Sequence, residues 1–202
     1  MKPIAGLILA GGRSSRMDGS DKALVILKGS TLLERAVRRI GPQVDHLAIN
    51  SNADASALPS LGLSIVPDRD TSFSGPLAGI LAGLDWAAAL PEPPAALVSV
   101  AVDTPFFPLD MVARLSGDSE NRIVVASSSG MRHPTFALWP LSLRDALAAF
   151  LADGATLKVS AFIDDHPNAT VEFDLDGGED PFFNINTPDD LRRAQTIAEM
   201  LD

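Results

Sequence analysis

Apolar residues in this chain fall into two alternating patterns: short unbroken runs, and longer stretches where they recur every three or four positions. That alternation predicts strands interleaved with amphipathic helices, hence an α/β fold with a mostly parallel sheet covered on both faces. The first run, Ile4 to Leu9, ends at Ala10-Gly11-Gly12. From Thr31, Leu32, Leu33, Ala36, Val37 and Ile40 keep helical spacing until Gly41-Pro42 ends it. His46 to Asn50 and Ser64 to Val66 read as the next strands, the latter stopped by Pro67. Gly75-Pro76 opens a second helix, with proline at the first position where its missing N–H costs nothing. Leu77, Ile80, Leu81, Leu84 and Ala88 line one face of it, and Pro91 lies beyond its end. Leu97 to Val102, apolar but for Ser99, reads as a strand buried on both faces, and Asp103 stands at its carboxyl end. A short helix over Leu109 to Leu115, strands at Ile123 to Ala126 and Thr135 to Leu138, and a helix over Leu143 to Leu151 follow. After Asp153 the pattern weakens. Val171 and Phe173 alternate as in an edge strand, Asp174 to Asp180 is an acidic glycine-rich loop, and Thr187-Pro188-Asp189-Asp190 opens a last helix.

Length and composition narrow the class. The 202 residues exceed one ~150-residue domain and fall short of two. No linker, repeat or low-complexity stretch divides them, so a single domain over 1–202 is expected. The longest apolar runs fall far short of the ~18 residues of a membrane span. The N-terminal MKPIAGLILAGG runs into glycines and arginines, not a secretory cleavage site, so the expected location is the cytoplasm. With no cysteine, disulfides, a thiolate nucleophile and Cys-ligated metals are excluded. Sixteen basic residues against 26 acidic ones leave a net charge of −10, which argues against nucleic acid and for small molecules or proteins as partners. Yet Arg13, Arg16, Lys22 and Lys28 crowd one short stretch, as a loop that holds an anion would.

Open α/β sheets bind ligands beyond the carboxyl ends of their strands, and three polar features are expected there. In LAGGRSSRM…DK, Gly11 and Gly12 permit close backbone approach to an anion, and Arg13, Arg16 and Lys22 bring charge. The loop is neither a Walker A motif nor GxGxxG, and a Gly-Gly pair after a strand is also an ordinary tight turn. Asp103, in VAVDTPFFP, is placed to hold a hard cation beside phosphates; a turn aspartate bonding its own backbone is the other reading. Asn50 and Asp68 end two more strands, each a turn residue or a ligand contact.

LAGGRSSRM…DKAL, VPD, SGPLAGI, VAVDTPFFP, HPTFAL and FFNINTPDDL together, in order and over nearly the whole chain, resemble the molybdenum cofactor guanylyltransferases, the MobA family. The resemblance implies a three-layer Rossmann-like, glycosyltransferase-A-like nucleotidyltransferase fold. It implies transfer of GMP from GTP to the phosphate of molybdenum-molybdopterin, with pyrophosphate leaving and Mg²⁺ required. Position by position, Leu9, Ala10, Gly11 and Gly12 would line the nucleotide, Lys22 would meet its phosphates, and Asn50 and Asp68 would contact guanosine. Asp103 would ligate magnesium, and Asn184 and Asn186 would serve the metal or the acceptor. Residues 1–103 would carry the nucleotide and 104–202 the pterin, with Ser127 to His133 and Asn184 to Thr187 as the acceptor wall. Other cofactor-biosynthesis proteins and molybdoenzyme chaperones are implied partners. The chain departs from the family at Asp18, where glycine is usual, at Val102, where cysteine is common, and at Gly154 to Phe162, where Lys158 is the remaining cation.

A phosphate monoester with a second pKa near ~6 attacks without a general base, consistent with three histidines, His46, His133 and His166, that read as structural. Cancelling the repulsion between two anions falls to Asp103-bound Mg²⁺, Arg16, Lys22 and the glycine amides. Asp68 can accept from guanine N1–H and the 2-amino group together, a fork that cytosine cannot supply. A cytidylyltransferase of the same fold is the nearest alternative, and a non-catalytic nucleotide-binding adaptor another. Thr187 doubles as a helix N-cap, followed by Pro188 and two acids suited to the helix dipole.

Overall fold

The computed structural model describes residues 3–11, 21–53, 58, 61–69, 75–117, 121–154 and 157–201. Its centre is a seven-stranded sheet made of β1 (Ile4–Leu9), β4 (His46–Asn50), β5 (Ser64–Val66), β6 (Ala96–Ala101), β7 (Ile123–Ser128), β8 (Met131–Pro140) and β9 (Asn168–Phe173). A two-stranded ribbon, β2 (Ile26–Leu27) and β3 (Ser30–Thr31), stands apart from it. The sheet order is β5-β4-β1-β6-β8-β7-β9, and every pairing is parallel except the two that β8 makes. One edge of the sheet therefore collects the carboxyl ends of six strands and the start of β8, so the polar residues just beyond β1, β4, β5 and β6 must be neighbours.

Alternation along the strands sorts side chains onto two faces. Ile4 and Ile8 of β1, Val98 and Val100 of β6 and Val124 of β7 join one core, with α1 (Leu32–Ile40), α3 (Met111–Gly117) and α6 (Pro188–Leu201). Ala5, Leu7, Leu97 and Val125 point the other way, under α2 (Pro76–Ala88), α4 (Arg144–Asp153) and α5 (Val159–Asp164). This is the expected three-layer fold.

Several helix starts follow from capping chemistry. Thr31 accepts the Glu34 N–H while Glu34 reaches back to the Thr31 N–H, a capping box opening α1. Thr187 and Asp190 make the same reciprocal arrangement at α6. Burial pushes the Asp190 carboxyl up, but the N–H groups of Asn186 and Thr187, the Thr187 hydroxyl and Arg193 outweigh it and hold it below the usual value.

The fold differs from the sequence expectation in four places. The third helix begins at Met111, not Leu109, which is left 65% exposed. The strand expected at Thr135 to Leu138 runs from Met131 to Pro140. Its pattern is interrupted because its pairing with β7 jumps from Val125↔Ala137 to Ala126↔His133, with Pro134, which has no N–H to pair, in the gap. The weak stretch after Asp153 contains α5, whose six residues bury Val159, Phe162 and Ile163 but are too few to display a helical period. The β2–β3 ribbon escaped notice because its strands are two residues each, joined through Lys28 and Gly29 at positive φ.

Candidate functional site

At the carboxyl edge lies a cleft of about 250 Å³ as bounded by the described residues. Leu9 and Gly11 from the end of β1, Asn50 from β4, Asp68 from beyond β5 and Asp103 from beyond β6 line it, with Lys22, Gly75, Pro76, Thr135 and Asn184. Gly12, Arg13, Arg16 and Asp18 lie outside the described residues.

The chain holds each of these by local means. A 3-10 turn over Lys22–Leu24, capped by the Asp21 carboxylate on the Ala23 N–H at 3.0 Å and anchored by buried Ala23, presents Lys22. Asp103 is positioned from both sides in the chain: Val102 N–H donates to the Leu9 carbonyl at 3.1 Å, and the Asp103 carbonyl accepts the Ile185 N–H at 2.8 Å. Ile185 is fully buried, and its neighbours Asn184 and Asn186 both act on the site side: Asn186 takes up Lys22, and Asn184 takes up the buried Thr104 hydroxyl at 2.6 Å. Buried Ser99 accepts the Trp139 indole N–H at 2.9 Å and donates to the Thr135 carbonyl at 2.8 Å, which fixes Thr135 at the cleft wall.

At one end of the cleft, the Lys22 ammonium lies 2.7 Å from Asp103 Oδ2 and 2.6 Å from Asn186 Oδ1. A cation thus already sits between a carboxylate and an amide oxygen, the hard donors that suit Mg²⁺. No three His, Cys, Asp or Glu side chains cluster for a metal among the described residues. Asp103 would therefore share any such ion with amide oxygens, water or a ligand's phosphates.

The other end is built around Asp68. Asn50, 4% exposed, donates one amide hydrogen to the Val66 carbonyl at 3.0 Å and the other to Asp68 Oδ1 at 2.8 Å. Asn52 donates to Asp68 Oδ2 at 2.7 Å and accepts the Asp68 N–H at 2.8 Å. Space for Asn50 comes from α2: a Cβ on Gly79 would lie 2.2 Å from Asn50 Oδ1. Among the described residues, a Cβ on Gly11 would meet only that oxygen, at an ordinary 3.6 Å.

The structure thus gathers Leu9, Gly11, Lys22, Asn50, Asp68, Asp103 and Asn184 at one cleft, with Asn186 bonded to Lys22. Ala10 differs: its side chain is 3% exposed in the core beneath α1, and its N–H donates to the Asn50 carbonyl at 2.9 Å. Lys158 immediately precedes α5 and is not among the lining residues. Asn52, Thr104, Thr135 and Gly79 were missed as parts of the site. Asn52 carried a signal in its spacing of two from Asn50 at a strand end, and Gly79, Thr104 and Thr135 lie within SGPLAGI, VAVDTPFFP and HPTFAL, motifs that did not by themselves mark these positions as site residues.

Beside the cleft, the β7–β8 hairpin turns at Ser129 and Gly130, both at positive φ. Ser128 Oγ lies 2.7 Å from His133 Nε2 and donates to Asp180 Oδ1 at 2.7 Å, while the His133 ring stacks on Phe182. Burial lowers the His133 pKa, and the Asp180 and Glu172 charges only partly restore it. Serine stands between the acid and the imidazole, an order that supports the turn and activates no nucleophile. Ser127 bonds Glu172 and Arg132 pairs with Asp164 at 2.7 Å, so the expected acceptor wall is internally tied. His166 bonds the Phe162 carbonyl, a structural use.

Residues 6–169 match the model of the MobA-like NTP transferase domain. The chain is 48% identical to a molybdenum cofactor guanylyltransferase of Mesorhizobium japonicum, over 99% of this chain and 98% of that one. It is 47% identical to one of Rhizobium meliloti, over 97% and 92%. Among solved structures, the molybdopterin-guanine dinucleotide biosynthesis protein A of Archaeoglobus fulgidus superposes with a TM-score of 0.78 at 24% identity, over 97% of this chain and 99% of that one. A 4-diphosphocytidyl-2C-methyl-D-erythritol synthase of Anaerococcus prevotii superposes at 0.74 with 15% identity, over 98% and 96%, a likeness of fold alone.

Proposed function

The chain belongs to the MobA-like nucleotidyltransferases, in the molybdenum cofactor guanylyltransferase family, and from that premise we propose that it transfers GMP from GTP to the phosphate of molybdenum-molybdopterin. The observation that carries this reading is the meeting in one cleft of a lysine–carboxylate pair, Lys22 and Asp103, with a second carboxylate, Asp68, at the other end. One end suits a triphosphate, the other a base with adjacent donors.

In this reading Asp68 accepts from guanine N1–H and the 2-amino group, Lys22 holds the phosphates, and Arg16 adds charge. Asp103, with the amide oxygens of Asn184 and Asn186, would hold Mg²⁺. When bound, the ion supplies charge that neutralises the triphosphate and the departing pyrophosphate. The acceptor phosphate, mostly dianionic at neutral pH, attacks the α-phosphorus in line; its P–O bond forms as the bond to the β-phosphate oxygen breaks. No side chain needs to take a proton, which accords with the structural partners of His133 and His166. Residues 1–103 serve the nucleotide and 104–202 the pterin, in one domain, the Ser127–His133 hairpin and Asn184 forming the acceptor side. We place the reaction in the cytoplasm, among proteins that deliver the acceptor and collect the product; no helix among the described residues is long and apolar enough to cross a membrane.

The test is turnover with Mg²⁺, the pterin acceptor, and GTP, CTP or ATP in turn, reading pyrophosphate and the dinucleotide by mass. GTP is expected to exceed CTP by at least ~10-fold, because a misfitted polar contact in a dry pocket costs about 1–3 kcal/mol. Equal use of CTP would hand the site to the cytidylyl reading, and no pyrophosphate with acceptor present would favour a binding protein.

A further inference from the structure

Asp68 follows a three-residue edge strand and is only half-buried, so little packing fixes its carboxylate. What fixes it is a bracket of two asparagines. Asn50 and Asn52 are alternate residues running off the end of β4, so their side chains emerge on the same side. Asn50 Nδ2 reaches Asp68 Oδ1 and Asn52 Nδ2 reaches Asp68 Oδ2, at 2.8 and 2.7 Å. Each oxygen thus carries one amide hydrogen and, with about four acceptor sites per carboxylate, keeps capacity for a ligand's donor. Asn52 also takes the Asp68 N–H through Oδ1 at 2.8 Å. Its grip is therefore two-point, on backbone and side chain, and sets both the position and the plane of the carboxylate. Asn50 is buried and serves the strand end as well, through Val66; Asn52 is exposed, and among the described residues its side-chain amide bonds to Asp68.

We propose that Asn52 is a positioning residue for base selection: without touching the nucleotide, it holds Asp68 so that both oxygens meet the guanine N1–H and 2-amino donors together. The inference rests on the guanylyl reading of the cleft. A carboxylate free to rotate still accepts one hydrogen bond, but a two-donor fork needs both oxygens in the plane of the base. Loss of the grip therefore harms the second contact most. Preorganisation of this kind shows in discrimination and in KM more than in the chemical step.

The experiment compares GTP with ITP, whose base lacks only the 2-amino group, in the wild type and in Asn52→Ala, Asn52→Ser and Asp68→Ala. Asn52→Ala and Asn52→Ser are expected to lower the GTP-over-ITP ratio of kcat/KM by about 5–10-fold, through a higher KM for GTP, with kcat at saturation within ~2-fold. Competition by guanosine and inosine, which needs no turnover, is expected to show the same loss. If both Asn52 variants keep the wild-type ratio while Asp68→Ala abolishes it, Asn52 does not position Asp68 and the guanine reading survives. An equal loss for GTP and ITP assigns Asn52 to holding the loop and overturns the proposal. If Asp68→Ala itself keeps the ratio, Asp68 does not read the base and the proposal falls with that reading.

Discussion

The two ends of the cleft hold their carboxylates on different terms. Asp68 is pinned by donors that leave it able to accept more, so a base can dock there without any hydrogen bond of the protein being broken. Asp103 is held by Lys22, which also spends a donor on Asn186, so among the described residues phosphates meet an ammonium with one hydrogen left, and a cation that takes these two oxygens must displace it. On the proposed function, Asp68 marks a base end that is preorganised and Asp103 a phosphate end whose ion pair must rearrange to admit a cation. Affinity at the first comes from ordering already done in folding, and affinity at the second is the difference between old and new partners. It follows that a free cation must compete with an ammonium for the same two oxygens, whereas one arriving on a triphosphate brings Lys22 a replacement.

The sharpest way to break the phosphate end alone is Asp103→Asn. It keeps shape and removes the charge, and turnover is expected to fall at least ~100-fold, as loss of a charge acting in the transition state does. Guanosine affinity, measured by competition, is expected to stay within ~2-fold because the Asp68 bracket is untouched. Near wild-type turnover at limiting Mg²⁺ would remove Asp103 from the chemistry.

How much of this was legible in the sequence divides along the same line. The strand ends carrying Asn50, Asp68 and Asp103 were readable because continuous apolar runs fix where a buried strand stops, and a parallel sheet fixes that such stops share an edge. The direction of a side chain was less readable. Ala10 lies between Leu9 and Gly11, both at the cleft, yet turns into the opposite core. Lys22 was assigned to phosphates, but its bond to Asn186, 164 positions along the chain, is a tertiary fact that no local pattern encodes. Thr135 reached the cleft through a register jump at Pro134, which hydrophobic alternation shows only as an interrupted strand.

Lys22→Gln sharpens the comparison by pulling two affinities in opposite directions. Charge-assisted hydrogen bonds are worth about 1.5–3 kcal/mol, so the affinity for magnesium GTP is expected to fall ~10–100-fold while guanosine binds unchanged. Free Mn²⁺, followed by its paramagnetic resonance signal without nucleotide, is expected to bind about 10-fold more tightly, since Asp103 and Asn186 lose the ammonium that occupied them. A decrease in Mn²⁺ affinity would show that Lys22 supports the cation site and does not block it.

The smallest expected effect probes the base end from behind, through α2. Gly79 and Gly83 lie one turn apart on its sheet-facing side, and both exist because the helix approaches too closely for a methyl group. A Cβ at Gly83 would come within 2.5 Å of Leu7 Cδ2 and 2.9 Å of Leu97 Cδ2, whereas one at Gly79 would strike Asn50 Oδ1 at 2.2 Å and Leu9 Cδ2 at 2.9 Å. Overpacking costs typically ~1–3 kcal/mol, partly offset by alanine's better helix propensity. Both alanine variants are thus expected to lower the unfolding free energy, by similar amounts in urea titration. Only Gly79→Ala displaces an arm of the Asp68 bracket, because Asn50 must rotate away from Val66 and Asp68 or α2 must lift. Its preference for GTP over ITP is therefore expected to fall several-fold, toward ~10-fold if Asn50 lets go of Asp68 entirely, while Gly83→Ala keeps the wild-type ratio. Equal ratios in the two variants would mean that the carboxylate's orientation does not depend on Asn50, and the base end would lose its claim to being preorganised from within the fold.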